Sequence, residues 1–544
     1  MSRRLAGLRL IVLQPFSPVP DRLIVAPTDL RSADPFVAEQ ILEGRYHLAG
    51  RLLEAGDRSP FSLEMPSRDF ASRLHAFTWL RDVRASKSDL IFDAARLLTE
   101  DWIVSHGRRP GGIAWDPDIV AQRIIAWISH STILLKNAEI GFYKRFLRSL
   151  SAQIRFLEST VTHIRDDERR LRGRIALAMA TLALPASARK ISKAAGLLDR
   201  ELEAQILPDG GHVSRNPRAG LELLFDLLPL RQTYVNLGQD LPSRLVQTID
   251  RMYPALRFFR HQGGELALFN GATSTHANEL LSILRYDETS GKPFKALPHT
   301  QYQRLAIGDT VILVDTGLPL TRELSRTAHA GCLSLEMSSG KHRFIVNSGS
   351  PRFAGDHYRQ LARATAAHST VTVNDTSSSR VLSNNGSLMF GEGVEQVSVD
   401  RKESHDGADT LIASHDGYLK PFGLIHERSL YVNAAGSLVR GRDRLMTKDR
   451  KDPPAGTGAI AVIRFHIHPQ IAIHEIEDNE VDLVAPDGET WTLSTLDGRI
   501  SIEDDVFFAD PSGIRGSSQL EMVIDIDDLP ELQWVLTRKP SGPQ

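Results

Sequence analysis

Along the first half of the chain, apolar positions return every three or four residues. Val120-Ala121-Gln122-Arg123-Ile124-Ile125-Ala126-Trp127-Ile128 sets its apolar residues on one helical face. Phe142 to Leu157 repeats the pattern with basic residues opposite, and Arg174–Leu184, Ile191–Ile206, Leu221–Leu230 and Leu241–Phe259 continue it. Breakers punctuate the connections: Pro185, Pro208-Asp209-Gly210-Gly211 and Pro229. Residues from about 35 to 285 therefore read as successive amphipathic helices joined by short turns.

Near residue 285 the pattern changes. Tyr286 to Leu305, with Gly291, Pro293 and Pro298, reads as a linker. Beyond it the period falls to two. Thr310–Asp315, Leu333–Met337, Arg343–Asn347, Ser369–Val373, Ser429–Asn433, Ala459–His468 and Leu520–Ile526 read as strands, with Gly, Asn, Asp and Ser between them at β-sandwich spacing. Helices first and strands second point to two separate domains, and interfaces between such domains are common places for clefts. The expected division is an N-terminal extension over 1–34, a helical domain over 35–290, an antiparallel sandwich over 291–535 and a disordered tail over 536–544.

Composition narrows the function classes. At 544 residues the chain exceeds one core. Its 65 Lys and Arg against 67 Asp and Glu give a net charge of −2, which speaks against general affinity for nucleic acid or anionic membranes. The single cysteine, Cys332, excludes an internal disulfide. No apolar run reaches the ~20 residues of a membrane span. The start, Met1 to Phe16, has a charged end and a short apolar stretch, but Arg9 interrupts it and no small-residue cleavage site follows. It reads as a poor signal peptide, which favours a cytoplasmic protein.

Several clusters carry candidate chemistry. Leu207–Pro217, between two helices, gathers His212, Ser214, Arg215 and Asn216 around a glycine turn. Such a loop presents an imidazole and a guanidinium fork to an acidic sugar; the plainer reading is a turn whose polar residues cap the next helix. His329 and His368 each stand just before a strand, with Asn347 between them in sequence. Two imidazoles and an oxygen are a zinc-like set, although isolated histidines at strand entrances more often make structural hydrogen bonds. In Arg464-Phe465-His466-Ile467-His468-Pro469 the two imidazoles share a strand face, which suits a metal pair less than a solvated or stacked face. His415-Asp416-Gly417-Tyr418 and His426-Glu427-Arg428 read as hydrogen-bonded turns. No Walker loop, Rossmann fingerprint, HExxH or GxSxG occurs.

The run from His329 to Thr372 resembles the heparinase II/III-like domain, through the His-before-strand stretch, Ile345-Val346-Asn347-Ser348-Gly349, Tyr358 to Arg363, and above all Thr365-Ala366-Ala367-His368-Ser369-Thr370. The Asp209-Gly210-Gly211-His212 loop, Phe269-Asn270-Gly271 and the Arg464–Pro469 strand agree in order, so the resemblance covers roughly 40–530. It implies an incomplete (α/α) toroid followed by an antiparallel β-sandwich, and β-elimination on uronic-acid polysaccharides. In that chemistry one group neutralises the carboxylate, a base takes the C5 proton and an acid protonates the leaving oxygen. It also implies a zinc on His329, His368 and Asn347, where the family usually has Asp at the last position; no cofactor is otherwise required. Departures from the family pattern are plain. Thr327 stands where a catalytic sandwich His is expected, Leu171-Arg172-Gly173-Arg174 replaces an Asn-His pair, and Ala219 falls where a Tyr is expected.

Two readings follow. In the first, a lyase uses His212 as base or acid, Tyr234 as its proton partner and Arg215 with Asn216 as the carboxylate clamp, with Arg174, His329 and Arg363 lining the cleft. In the second, the scaffold binds an acidic saccharide without turnover. A third is a structural partner in an envelope-polysaccharide system. The family chemistry makes the periplasm the alternative compartment. Which glycan is recognised, and the oligomeric state, are not legible.

Overall fold

The computed structural model describes residues 19–165, 167–289, 291–321, 323–384 and 387–540. The apolar stretch at the N-terminus and residues 541–544 of the expected tail lie outside them. The chain divides into two compact units.

The first unit comprises Met1–Ile206, Leu221–Asp250 and Ser282–Glu288. Its longer helices are α1 (Pro35–Leu42), α2 (Arg68–Ala76), α3 (Leu80–Ser86), α4 (Asp89–Ser105), α5 (Pro117–Ser129), α6 (Ile140–Thr160), α7 (Asp167–Ala183) and α8 (Ala188–Gln205). Local sequence explains where several start. Asp34, Ser67, Asp116 and Ser187 each accept a backbone N–H of the first turn, and Pro35 and Pro117 occupy positions where no N–H is needed. The core is aromatic: buried Trp79, Trp102 and Trp127 surround Phe77, Trp127 stacks on Phe146, and Trp115 packs against Trp102 and Phe156. Arg123 is enclosed with them. Its guanidinium lies 4.0 Å from the Trp102 ring and donates to Gln153 Oε1 (2.7 Å) and to the carbonyls of His75 (2.7 Å) and Ala114 (2.9 Å).

Helices α9 (Pro217–Asn236), α10 (Leu245–Phe259) and α11 (Ala277–Leu284) run from one unit into the other along the chain. Pro229, expected to break the helix, lies inside α9. One missing ladder bond costs about 3 kcal/mol, whereas Leu223, Leu224, Phe225, Leu227, Leu228 and Leu230 are all buried, each worth about 2 kcal/mol. Burial decides in favour of continuity.

The second unit comprises Leu207–Gly220, Arg251–Leu281 and Thr289–Gln544. After a hairpin in the first unit, β1 (Arg45–Leu48) with β2 (Arg51–Glu54), the remaining strands among the described residues belong to it. They are β3 (Ala296–Leu297), β4 (Tyr302–Ile307), β5 (Thr310–Asp315), β6 (Leu335–Ser339), β7 (His342–Val346), β8 (Val371–Val373), β9 (Arg380–Asn384), β10 (Ser387–Glu392), β11 (Val397–Glu403), β12 (Asp409–His415), β13 (Ile425–Val432), β14 (Leu438–Met446), β15 (Ile460–Ile467), β16 (Ala472–Glu477), β17 (Glu480–Val484), β18 (Thr490–Thr495), β19 (Ser501–Asp510), β20 (Gly513–Asp525) and β21 (Glu531–Arg538). Among the described residues one sheet runs β11-β12-β13-β14-β21-β18-β17-β16. The other large sheet runs β19-β20-β15-β7-β6-β5-β4-β3, with β8 beside β15, and β9 pairs with β10 in a separate hairpin. Both large sheets are antiparallel, and their inner faces share one core that includes Phe344, Phe465, Trp491 and Trp534.

Two boundaries differ from expectation. The stretch read as a linker to Leu305 already contains β3 and most of β4, because Leu297 and Tyr302 are fully buried and Pro298 falls in the turn between the strands, where no ladder N–H is lost. At the other end β21 continues to Arg538, paired with Trp491 and anchored by buried Leu536, so the sheet reaches into the segment expected as a tail.

Candidate functional site

The loop between α8 and α9 is held from below by one carboxylate. Asp209 accepts from the backbone N–H of His299 (2.8 Å), Thr300 (2.7 Å) and Gly211 (3.2 Å) and from Thr300 Oγ1 (2.7 Å). Gly210 has φ +85°, and a Cβ there would lie 1.8 Å from the Arg251 carbonyl, so only glycine fits. His212 is buried; its Nδ1 accepts the Ser214 N–H at 3.1 Å and lies 2.8 Å from Ser214 Oγ.

Arg215 turns into the unit. It pairs with Asp315, donates to the carbonyls of Thr300 (2.9 Å) and Gln301 (3.2 Å) and lies 4.7 Å from the Tyr302 ring. Its side chain is only 3% exposed, so its donors serve the fold and are not presented to a sugar carboxylate. Asp315 also accepts Asn270 Nδ2 (2.9 Å), and Asn270 Nδ2 reaches Tyr302 Oη at 2.7 Å. Tyr302 donates to the Arg215 carbonyl (2.7 Å), and burial pushes its phenol far above the ordinary range. Asn270 Oδ1 in turn accepts the His329 N–H at 3.2 Å.

This network brings two side chains beside one glycine. Asn216 caps α9: its Oδ1 accepts the Arg218 N–H at 2.9 Å, which leaves Nδ2 pointing away from the helix. A methyl group placed on Gly271 would lie 3.8 Å from Asn216 Nδ2 and 3.7 Å from His329 Nε2. The amide donor and the imidazole therefore flank the same glycine.

The His329 tautomer follows from its neighbours. His368 Nδ1 lies 2.8 Å from the Ala364 carbonyl, which only accepts, so Nδ1 carries the proton. Its Nε2 lone pair faces His329 Nδ1 at 3.2 Å. His329 then donates through Nδ1 and keeps a free lone pair on Nε2. Burial holds both imidazoles neutral: it takes His368 down to about 4 and His329 well below the ordinary value, with the charges of His368 and Arg363 adding to the effect on His329. Arg363 donates to the carbonyls of Ala328 (2.9 Å) and Ser325 (2.5 Å), fixing the segment that leads into His329.

A zinc on His329, His368 and Asn347 meets this geometry only in part. Two nitrogens on a tetrahedral zinc stand ~3.3 Å apart, close to the observed imidazole spacing. Asn347 Oδ1, however, accepts the Ser369 N–H at 3.0 Å, and the carboxamide is neutral. No group of three His, Cys, Asp or Glu among the described residues could hold a metal ion. The donor set among the described residues does not complete a zinc site.

The other sequence-selected residues lie elsewhere. Arg174, on α7 of the first unit, faces Glu201 at 3.9 Å. Tyr234, on the first-unit part of α9, is fully buried; its hydroxyl has no partner among the described residues, and burial raises its phenol to about 12. His466 is buried against Asp505 (2.7 Å), and His468 lies 3.1 Å from Arg343 Nη2. His415 and His426, expected in turns, are paired positions on β12 and β13, with His426 2.8 Å from Asp443. Asn270, Tyr302, Asp315 and Glu336 were not singled out as site residues. Glu336 is buried against His261 (3.0 Å) and accepts the N–H groups of Leu268 (3.0 Å) and Asn347 (3.1 Å). The only signals for these residues were Asn270 within Phe269-Asn270-Gly271 and the carboxylates standing in or ending apolar strands.

Residues 289–534 match the family model described as "Heparinase II/III-like, C-terminal". FtsZ-localized protein C of Caulobacter vibrioides is 32% identical over 489 residues, covering 88% of this chain and 83% of that protein. Among solved structures, heparinase III aligns over 98% of this chain and 89% of its own, at 13% identity and a TM-score of 0.73. A mutant of the heparan sulfate lyase HepC from Pedobacter heparinus aligns over 100% and 89%, at 15% identity and a TM-score of 0.65. At such identities these likenesses carry the fold: helices first, antiparallel sheets second.

Proposed function

We propose, from the premise that this chain belongs to the heparinase II/III-like family, that it binds an acidic polysaccharide at Asn216 and His329 without cleaving it. The observation that carries this reading is the pairing of an amide donor with an imidazole lone pair beside Gly271. Asn216 Nδ2 would donate to a uronate carboxylate, and His329 Nε2 would accept from a neighbouring hydroxyl. Elimination asks for more. The developing anion needs strong stabilisation and the departing oxygen needs a proton. Arg215 is committed to Asp315, Tyr302 donates to a backbone carbonyl, and Tyr234 is enclosed in the first unit.

A lyase is the second reading, favoured by the same His329 lone pair, which is chemically a base. Incubation of the full chain with heparan sulfate, hyaluronan and alginate separates the two. The binding reading expects saturable binding with no rise in ultraviolet absorbance. A rise that His329→Ala abolishes would replace it with the lyase reading, because elimination creates a conjugated, absorbing double bond. The relative named for FtsZ localization supports a place at the division site. A fluorescent fusion of this chain is expected to gather with FtsZ, and uniform fluorescence would remove that part of the proposal.

A further inference from the structure

A second space lies in the second unit, and neither Asn216 nor His329 lines it. It is a cavity of about 840 Å³ whose wall includes Arg257, Arg260, Lys292, Phe294, Arg304 and Arg401. That volume is in the range of small-molecule sites, ~300–1,000 Å³, and far exceeds what one inorganic ion fills. All of its lining belongs to the second unit: the end of α10 and the turn after it, the segment before β3, strands β4 and β5, and the β11–β12 hairpin.

The charge balance of the wall is uneven. Its two carboxylates are already used: Asp409 accepts from Arg401 at 3.1 and 2.5 Å, and Glu403 pairs with Lys295. Arg260, Lys292 and Arg304 have no carboxylate partner among the described residues. Arg304 is the most telling. It is 6% exposed, and Nη1 donates to the carbonyls of Phe258 (2.7 Å) and Arg260 (3.1 Å). Its buried Nε has no acceptor among the described residues. Burial without a counter-charge lowers this guanidinium to about 10. A cation kept from water without an anion is unfavourable by several kcal/mol unless something supplies the charge.

We propose that this cavity is a binding site for an organic phosphate of sugar-phosphate or nucleotide size. Three cations without carboxylate partners ask for more negative charge than one uronate brings. A phosphate ester carries about −1.5 to −2 and offers three acceptor oxygens, matched to guanidinium forks. Phe294, 47% exposed at the same wall, supplies an apolar face for the sugar or base.

Calorimetric titration of the full chain with pyrophosphate, ADP and glucose 1-phosphate tests the proposal. Saturable binding of at least one is expected, weakening as salt rises, with ADP and glucose 1-phosphate distinguishing nucleotide from sugar phosphate. Arg260→Gln with Lys292→Gln, at accessible positions, should weaken it at least tenfold while circular dichroism and melting stay unchanged. Arg304→Gln should abolish it, and the first pair keeps the test decisive if that variant is unstable. Absence of binding up to millimolar concentration, or binding indifferent to Arg260 and Lys292, overturns the assignment. So does a result in which these substitutions weaken heparan sulfate oligosaccharide binding and leave pyrophosphate binding intact. His329→Ala is expected to leave phosphate binding unchanged, which keeps this site separable from the glycan site.

Discussion

At the scale of single residues, orientation decides the role. Arg215 and Asn216 are neighbours in sequence, yet one guanidinium is locked to Asp315 and the other side chain caps α9 with its oxygen and sets its amide nitrogen beside Gly271. Asn216→Asp keeps the capping oxygen and replaces the donor with a negative charge. It should weaken acidic-glycan binding about 10- to 100-fold, as expected for losing a hydrogen bond to a charged group, with melting temperature nearly unchanged; binding titration against the parent checks this. His75 carries a pH dependence. Burial, reinforced by the Arg123 and His106 charges, lowers it from 6.5 to about 3, and its Nδ1 accepts the Trp102 indole N–H at 3.1 Å. The unfolded chain protonates this group as pH falls through 6.5 while the folded chain resists until about 3. Stability from this group is therefore complete above the upper value and drains as pH falls toward the lower one, by about 1.4 kcal/mol per unit. Urea midpoints measured between pH 7 and about 4 should fall less steeply in His75→Asn than in the parent.

At the scale of elements, the loop before α9 shows how a turn becomes a platform. Asp209 ties it to the segment between β3 and β4 through three donors and braces the loop itself through the Gly211 N–H, and Arg215 adds the carbonyls of Thr300 and Gln301. Asp209→Ala leaves those N–H groups to find other acceptors and should lower unfolding free energy by about 2 kcal/mol, measured by urea denaturation. Glycan affinity should fall as well, since Asn216 rides on the same loop. Helix α9 teaches the opposite lesson about local signals: a proline, read as a stop, sits within a continuous helix because its neighbours are buried on every turn.

At the scale of the whole molecule, the incomplete donor set around His329 and His368 predicts a fold that stands without a metal. The sandwich core is continuous and apolar, and hydrogen bonds engage both nitrogens of His368 and the Nδ1 of His329. Exhaustive dialysis against EDTA should leave the melting temperature unchanged, and elemental analysis should find no stoichiometric zinc. A large destabilisation on chelation would restore the zinc set of His329, His368 and Asn347.

Periodicity alone was enough for helices over most of 117–259 and for strand cores such as Thr310–Asp315 and Ile460–Ile467, since which face is apolar is written residue by residue. The same holds for the family likeness around Thr365–Thr370, a local string. Sequence spacing could not say that Asn216 and His329, more than a hundred positions apart, flank one glycine. Nor could it say that Arg215 would be consumed by Asp315, or that Arg304 would be buried without a counter-charge. Those outcomes depend on which groups the packed chain brings within hydrogen-bond reach and which it shuts away from water, and that is settled only when distant segments close on one another.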